Sequence, residues 1–461
     1  MQKCSKSNLI KRCCEINFNT FASLRMSMLG LVSSSTRALQ AFQAMRFVAM
    51  LSIGVAMARL GYGKTAIGNY EAVLFVSGLL TTFWVTGLIQ ALLPLYSRNN
   101  DNSKDDRLFN AFMVVLGLAV LSCLFAAIFT TTLTGFTAID GSNLSPLMLL
   151  YMLLSTPSTM VEYIYFLHGN YKTMLSYGII TYAIQVVLVV LPVLFGMGVA
   201  FAVLGLIVVS AVRFVWLISL LVRNSKFSIN VDFLKEYLGD GIPLSLKFLI
   251  SSSGLYIDQL IIGYHFDSST FAVYRFGARE IPLITILAVS LSNSMLADFA
   301  DRQKLSRNLD NLRNESLRLM HILFPLSIAA ILLARWLFPL VFGTEFHESA
   351  NIFMIYCLIV LSRVVFPQTI TQGFRKNMAV LTISIVEMAM NIILSLLLVK
   401  YFGINGVAAA TVIVYALEKV LLVAYNAYSL KIAAVTYVPL KAFWVYSLIV
   451  LLAFTFAWFA L

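Results

Sequence analysis

Charge is scarce in this chain. Asp, Glu, Lys and Arg make up 12% of its 461 residues, and 60% of the residues are hydrophobic. An average soluble domain is about 25% charged, so this balance excludes a soluble fold and marks a polytopic membrane protein. The alternating ten-residue segments of a membrane barrel are missing, and apolar runs of about twenty residues stand in their place, so the spans are helices. The five cysteines (Cys4, Cys13, Cys14, Cys123 and Cys357) show neither a metal-ligand spacing nor a secreted disulfide pattern. The four histidines form no triad-like arrangement. The formal charge of +12 is explained by basic cytoplasmic loops, and no nucleic-acid partner is implied.

Thirteen spans are expected, near 38–58, 71–96, 108–131, 145–167, 173–195, 199–222, 242–264, 271–298, 317–341, 349–370, 378–400, 405–428 and 440–460. Connections after even-numbered spans carry Arg98, Lys104 and Arg107, then Lys172, then Arg223, Lys226 and Lys235, then Arg302, Lys304, Arg307 and Arg313, then Arg375 and Lys376, then Lys431. The other connections hold almost no base beyond Lys64. The positive-inside rule therefore places the amino terminus in the cytoplasm. Residues 1–37 have no continuous apolar core and read as a cytoplasmic extension, with Met26, Met28 or Met45 as alternative starts, and not as a cleavable signal. The longest outer loops, around Thr132–Leu144 with Asp140 and around Gly343–Ser349, are too short for a folded outer domain.

The chain repeats itself at an interval near 200 residues. LGYGKTAIGNYEAVLF (60–75) matches IGYHFDSSTFAVYRFG (262–277): each leaves a span through Gly-Tyr and re-enters by a Tyr followed by a charge. FGMGVAFAV (195–203) matches FGINGVAAA (402–410). Six spans per repeat preserve orientation, so the halves are parallel repeats. The organisation expected is an extension (1–37), a lobe of spans one to six (38–225), a lobe of spans seven to twelve (226–430) and an extra carboxyl-terminal span (431–461).

Charge inside the spans is the functional signal, because it costs about 2.5–3.5 kcal/mol near a helix centre and such residues usually face a cavity or a partner. The cations are Arg46, Arg213, Lys247, Arg275, Arg279, Arg363 and Lys419; the acids are Glu162, Asp258, Glu280, Glu387 and Glu418. Lys247, Ser251, Gly254 and Asp258 follow a 4-3-4 spacing that sets them on one helix face. A similar stripe runs through Ser384, Glu387, Asn391 and Ser395, where the plainer reading of Ser384 and Asn391 is interhelical hydrogen bonding. The short hairpin between spans seven and eight should bring Asp258 opposite Arg275 and Arg279. That arrangement is either a fixed brace or an outer gate.

The Gly-Tyr exits, the acid near the outer end of span seven, the FAVYRFGAREIP entry to span eight and the glycine signature before spans six and twelve resemble polysaccharide flippases. These are the Wzx-type, O-antigen branch of the multidrug/oligosaccharidyl-lipid/polysaccharide (MOP) superfamily. The resemblance covers roughly residues 38–430. It implies an all-α, MATE/MOP-like fold: two pseudo-symmetric six-helix lobes in a V around a central cavity, here with an apparent thirteenth helix where relatives have twelve or fourteen. It also implies a transporter, not an enzyme, in the bacterial inner membrane. The substrate would be an undecaprenyl-diphosphate-linked oligosaccharide, moved from the cytoplasmic to the periplasmic leaflet. Membrane lipids and the glycan polymerase and glycosyltransferases of the same pathway are the implied partners. No cofactor is expected beyond H+ or Na+ coupling.

A diphosphate requires a cationic, hydroxyl-rich interior, and Arg suits it because its planar fork binds two oxygens at once. The substrate cavity is therefore assigned to Arg46, Arg213, Lys247, Arg275, Arg279, Arg363 and Lys419, and gating or ion coupling to Asp258, Glu387 and Glu418. The alternatives are a cation-coupled drug exporter of the same fold, which calls for a net acidic cavity, and a membrane-embedded glycan polymerase or ligase, which calls for a large outer loop.

Overall fold

The computed structural model describes residues 35–97, 106–129, 144–296, 299 and 304–460. The expected extension up to residue 34, the loop charges Arg98, Lys104, Asp140 and Arg302, and the side chain of Ser251 lie outside the described residues.

The chain folds into helices because a backbone in hydrocarbon must satisfy its polar groups within the segment. The first half runs α1 (Ser35–Arg59), α2 (Lys64–Ser97), α3 (Arg107–Ile128), α4 (Leu144–Ser158), α5 (Met160–Leu167), α6 (Tyr171–Leu194) and α7 (Val199–Asn224). The second half opens with α8 (Val231–His265), α9 (Ser268–Gly277), α10 (Pro282–Leu296) and α11 (Leu305–Phe342). It closes with α12 (His347–Cys357), α13 (Val360–Arg363), α14 (Pro367–Gly373), α15 (Asn377–Ser429), α16 (Ala434–Tyr437) and α17 (Leu440–Phe459). Among the described residues, nine helices are long and apolar enough to cross a membrane, or ten when the bent pair around Arg363 counts as one span. The 53-residue α15 turns on itself at Gly403 and so supplies two of the thirteen expected spans. Leu124, Val187, Val215, Trp336, Leu397 and Leu452 stand exposed on the outer faces. On a chain of membrane-length helices such an apolar belt marks a lipid-facing surface.

The two repeat-matched hairpins turn at left-handed glycines: Gly196 with φ 66° and Gly403 with φ 58°. Gly403 also has ψ −139°, a conformation that side chains other than glycine adopt only at a cost of about 1–3 kcal/mol. Gly403→Ala is therefore expected to lower the thermal unfolding midpoint of the purified protein. Gly117→Ala, within α3 and with open space around its new methyl group, should leave it unchanged.

Two spans are broken at membrane depth. Span eight unwinds over residues 278–281 between α9 and α10, where Pro282 has no N–H to continue the ladder. Span ten bends by 46° between Arg363 and Pro367. Sequence reading gives span eight as continuous over 271–298; the structure corrects this, and the break falls on Arg279 and Glu280. Non-helical backbone at this depth is tolerated where it is buried in protein or lines a cavity.

The lobes meet along α2, which packs against α8 and α9. Close backbone approach needs glycine, and there is one at each end. A Cβ on Gly68 would lie 1.8 Å from the Ser268 carbonyl oxygen, and one on Gly87 would lie 2.4 Å from the Ser245 nitrogen. Nineteen residues of helix span about 28 Å, so α2 touches the second lobe at points a bilayer core apart.

Candidate functional site

Between those contacts lies a run of connected cavities. The first, about 330 Å³, is lined by Arg46, Arg213 and Arg275, with Glu162, the tyrosines Tyr151, Tyr163, Tyr177 and Tyr182, and the hydroxyls of Thr81, Thr82, Thr86, Ser155 and Thr159. The second, about 400 Å³, shares Met50, Leu74, Gly78, Thr82 and Arg275 with it and adds Glu71, Gln259 and Arg279. The third, about 250 Å³, meets the second at Ala278 and is lined by Glu280, Arg363, Tyr356, Thr411 and Tyr415.

In the first cavity Arg213 donates to Gln185 Oε1 at 2.9 Å and lies 4.7 Å from the centre of the Tyr182 ring. Its Nε is buried without a hydrogen-bond partner. Arg46, half-buried, sits in the field of Glu162 and Tyr182. Glu162 in turn lies within the fields of Arg46 and Arg213 and beside Tyr163 and Gln43. Across the first two cavities the lining holds four arginines (Arg46, Arg213, Arg275 and Arg279) against two glutamates (Glu71 and Glu162), a net charge of +2.

Asp258 does not reach the arginines. Arg275 Nη1 pairs instead with the neighbouring Gln259, and its Nε donates to Glu71 Oε2 at 3.0 Å. Arg279 Nη2 lies 3.5 Å from Glu71 Oε1. One residue along a helix rotates a side chain by about 100°, which turns Gln259 towards the cavity and Asp258 into the second lobe. There Asp258 is buried and accepts from Tyr274 Oη at 3.2 Å, Tyr356 Oη at 2.9 Å and Thr411 Oγ1. Its Oδ1 is buried without a partner. Asn391 donates to Thr411 Oγ1 at 3.2 Å and Ser395 to Asn391 Oδ1 at 3.5 Å, so this stripe joins the two halves of α15 as interhelical hydrogen bonding requires.

Asp258→Ala would leave three hydroxyls buried without their acceptor. Each such loss costs about 1–3 kcal/mol, so a large drop in thermal midpoint is expected, whereas Asp258→Asn keeps the acceptor oxygen and should lose much less.

The two broken spans face each other through an ion pair. Arg363 donates from Nη2 to Glu280 Oε1 at 2.6 Å and from Nε to Oε2 at 3.1 Å. Thr285 adds a third donor to Glu280 at 2.8 Å, and the Arg363 guanidinium lies 5.3 Å from the Tyr415 ring centre. The two breaks thus hold both charges of the third cavity, Glu280 on the unwound segment of span eight and Arg363 at the helix end where span ten bends.

The structure gathers Arg46, Arg213, Arg275 and Arg279 around the first two cavities and Arg363 at the third. Lys247 and Lys419 line none of the three: Lys247 is exposed, and Lys419 Nζ pairs with Glu418 at 2.8 Å. Glu387 is half-buried, within the fields of Glu418, Lys419 and Arg363. Glu71 is the residue that sequence reasoning left out of the site. The repeat marked it, since Glu71 and Arg275 are the two charges that follow the matched tyrosines, and they are the ones that meet.

A family model described as polysaccharide biosynthesis protein matches residues 56–351. No curated protein matches the sequence. Among solved structures, the lipid II flippase MurJ in an inward closed conformation aligns with TM-score 0.67 at 18% identity, covering 90% of this chain and 91% of that one. A MOP superfamily transporter from Pyrococcus furiosus, described as having a binding pocket of reversed polarity, aligns with TM-score 0.57 at 16% identity over 87% of this chain and 97% of that one. An outward-facing multidrug resistance MATE transporter gives 0.54 at 15% identity over the same shares. At these identities the likeness shows a common fold.

Proposed function

The chain belongs to the polysaccharide biosynthesis protein family, and we propose on that premise that it flips an undecaprenyl-diphosphate-linked oligosaccharide across the bacterial inner membrane. The cargo would be an O-antigen, capsule or exopolysaccharide repeat unit, moved from the cytoplasmic to the periplasmic leaflet by alternating access. Its lobes are spans one to six (38–225) and seven to twelve (226–430), with the amino terminus and the Gly87 contact on the cytoplasmic side. The observation that carries this reading is the net positive lining of the two larger cavities, built from four arginines amid tyrosines and hydroxyls.

Arg46, Arg213, Arg275 and Arg279 hold the diphosphate, because forked guanidinium donors match its oxygens. The Thr, Ser and Tyr side chains of the first cavity offer hydrogen bonds and ring faces to the glycan. The polyprenyl chain stays in lipid, where no polar partner is needed. Asp258, Glu387 and Glu418 are the carboxylates assigned to coupling with H+ or Na+. Tyr356 and Thr411, which both bond Asp258, also line the third cavity, giving the carboxylate a route to the passage. A drug exporter for organic cations would place its acids where these arginines stand.

A strain lacking the protein is expected to accumulate lipid-linked repeat units on the cytoplasmic side, and the intact chain to clear them. Variants carrying Arg46→Ala and Arg213→Ala should fail to do so. Full clearance by both variants, or organic-cation efflux with no effect on lipid-linked glycan, would overturn the proposal.

A further inference from the structure

Near the outer end of the passage the lobes are joined by one carboxylate and two arginines. Glu71 belongs to α2 in the first lobe; Arg275 and Arg279 belong to span eight in the second. Each oxygen of Glu71 takes one guanidinium, Oε2 at 3.0 Å from Arg275 Nε and Oε1 at 3.5 Å from Arg279 Nη2. Glu71 is itself buried, and Arg275 stands at the junction of the two larger cavities. A two-oxygen anion bridging two arginines is the contact a phosphate group makes, so the protein already holds an internal anion where an anionic headgroup would bind.

Position on the helices adds a consequence. Gly68 precedes Glu71 by three residues on α2 and lies on the same face. Ser268 precedes Arg275 by seven on α9, again on the same face. The Gly68–Ser268 contact and the Ser268 hydroxyl bond to Asn69 Oδ1 at 3.0 Å therefore sit one or two turns beyond the Glu71 pair, between the same two helices. On the topology proposed above, that contact is the outer seal.

We propose that Glu71 is a placeholder for the substrate's phosphate and that exchange of one for the other releases the outer seal. This rests on the flippase reading and deepens it. With the passage empty, Glu71 ties α9 to α2 and the outer end stays shut. A diphosphate entering beside Arg275 replaces the carboxylate, the tie between the lobes is lost, and α9 is freed to leave α2. Opening towards the periplasm then requires cargo, because only a competing anion breaks the link.

The test uses the full chain in lipid nanodiscs, with inorganic pyrophosphate as the probe and spin labels at Thr65 and His265 across the outer end. Pyrophosphate should bind the parent and lengthen the distance between labels. Glu71→Gln should bind pyrophosphate about tenfold more tightly, since a charge-assisted competitor has been removed, and should show the longer distance without ligand. Glu71→Asp, which keeps the charge and shortens its reach, should fall between the two. Arg275→Gln should lose pyrophosphate binding. A parent that binds no pyrophosphate would overturn both the anion passage and the placeholder. A parent that binds it, together with folded Glu71→Gln and Glu71→Asp variants that bind no more tightly and keep the short distance, would overturn the placeholder alone.

Discussion

Alanine at position 68 is expected to hold the outer end of the passage open and stop transport. The added methyl would lie 1.8 Å from the carbonyl oxygen of Ser268 and 2.5 Å from its carbonyl carbon. These are backbone atoms that cannot rotate aside, so α2 and α9 must part. Overpacking of this kind costs about 1–3 kcal/mol, which makes the sealed arrangement about 5- to 150-fold rarer. Gly87→Ala acts at the opposite end, where its methyl would meet the Ser245 nitrogen at 2.4 Å. The two variants should therefore fail in opposite senses. With a single cysteine at Thr82 in the cavity wall, a membrane-impermeant thiol reagent should label Gly68→Ala from the periplasmic side and Gly87→Ala from the cytoplasmic side. Both should clear little lipid-linked glycan. Labelling from the same side in both variants would refute the assignment of the two glycines to opposite seals.

The second large effect is expected at Arg363. Replacing it by alanine strands Glu280 in the unwound segment of span eight, with Thr285 as its remaining hydrogen-bond donor of the three. Removing one partner of a buried pair costs about 3–5 kcal/mol. The low end applies here, because the Arg363 side chain keeps 27% of its exposure and water screens part of the charge. Arg363→Ala should thus unfold at a markedly lower temperature. Arg363→Ala combined with Glu280→Gln should recover most of the loss, because no unpaired charge is left. If the double variant is no more stable than the single one, the pair does not hold the two broken spans in register.

The helical architecture was legible because its causes are local. Runs of apolar residues of bilayer length, basic connections and two glycine hairpins repeated near 200 residues each leave a mark on the sequence, and Gly196 and Gly403 fall where the second match puts them. The cationic lining was half legible. Arg46, Arg213, Arg275 and Arg279 meet around the larger cavities, whereas Lys247 and Lys419, equally intramembrane by sequence, line none of the three. Which face of a helix meets a cavity depends on rotation about its axis, and hydropathy is blind to that rotation when neighbouring helices supply polar faces of their own. The same blindness hid the partner of Arg275. A hairpin estimate places Asp258 within reach, yet one residue of rotation gives Gln259 that contact, while the acid that pairs with Arg275 comes from the other lobe. The break in span eight had a signal, Pro282 directly after Arg-Glu-Ile. A proline at a first helical turn and a proline inside a continuous span are not distinguished by composition.

Reconstitution into liposomes tests the central claim most directly. Protein-bearing vesicles loaded on one leaflet with a polyprenyl-diphosphate oligosaccharide should expose the glycan on the other leaflet. A polyprenyl glycan of the same sugars without the diphosphate should stay where it was placed, and the Arg46→Gln, Arg213→Gln double variant should move neither lipid. Equal movement of charged and uncharged lipids, or full transport by the double variant, would contradict a passage that works by holding an anion between two lobes.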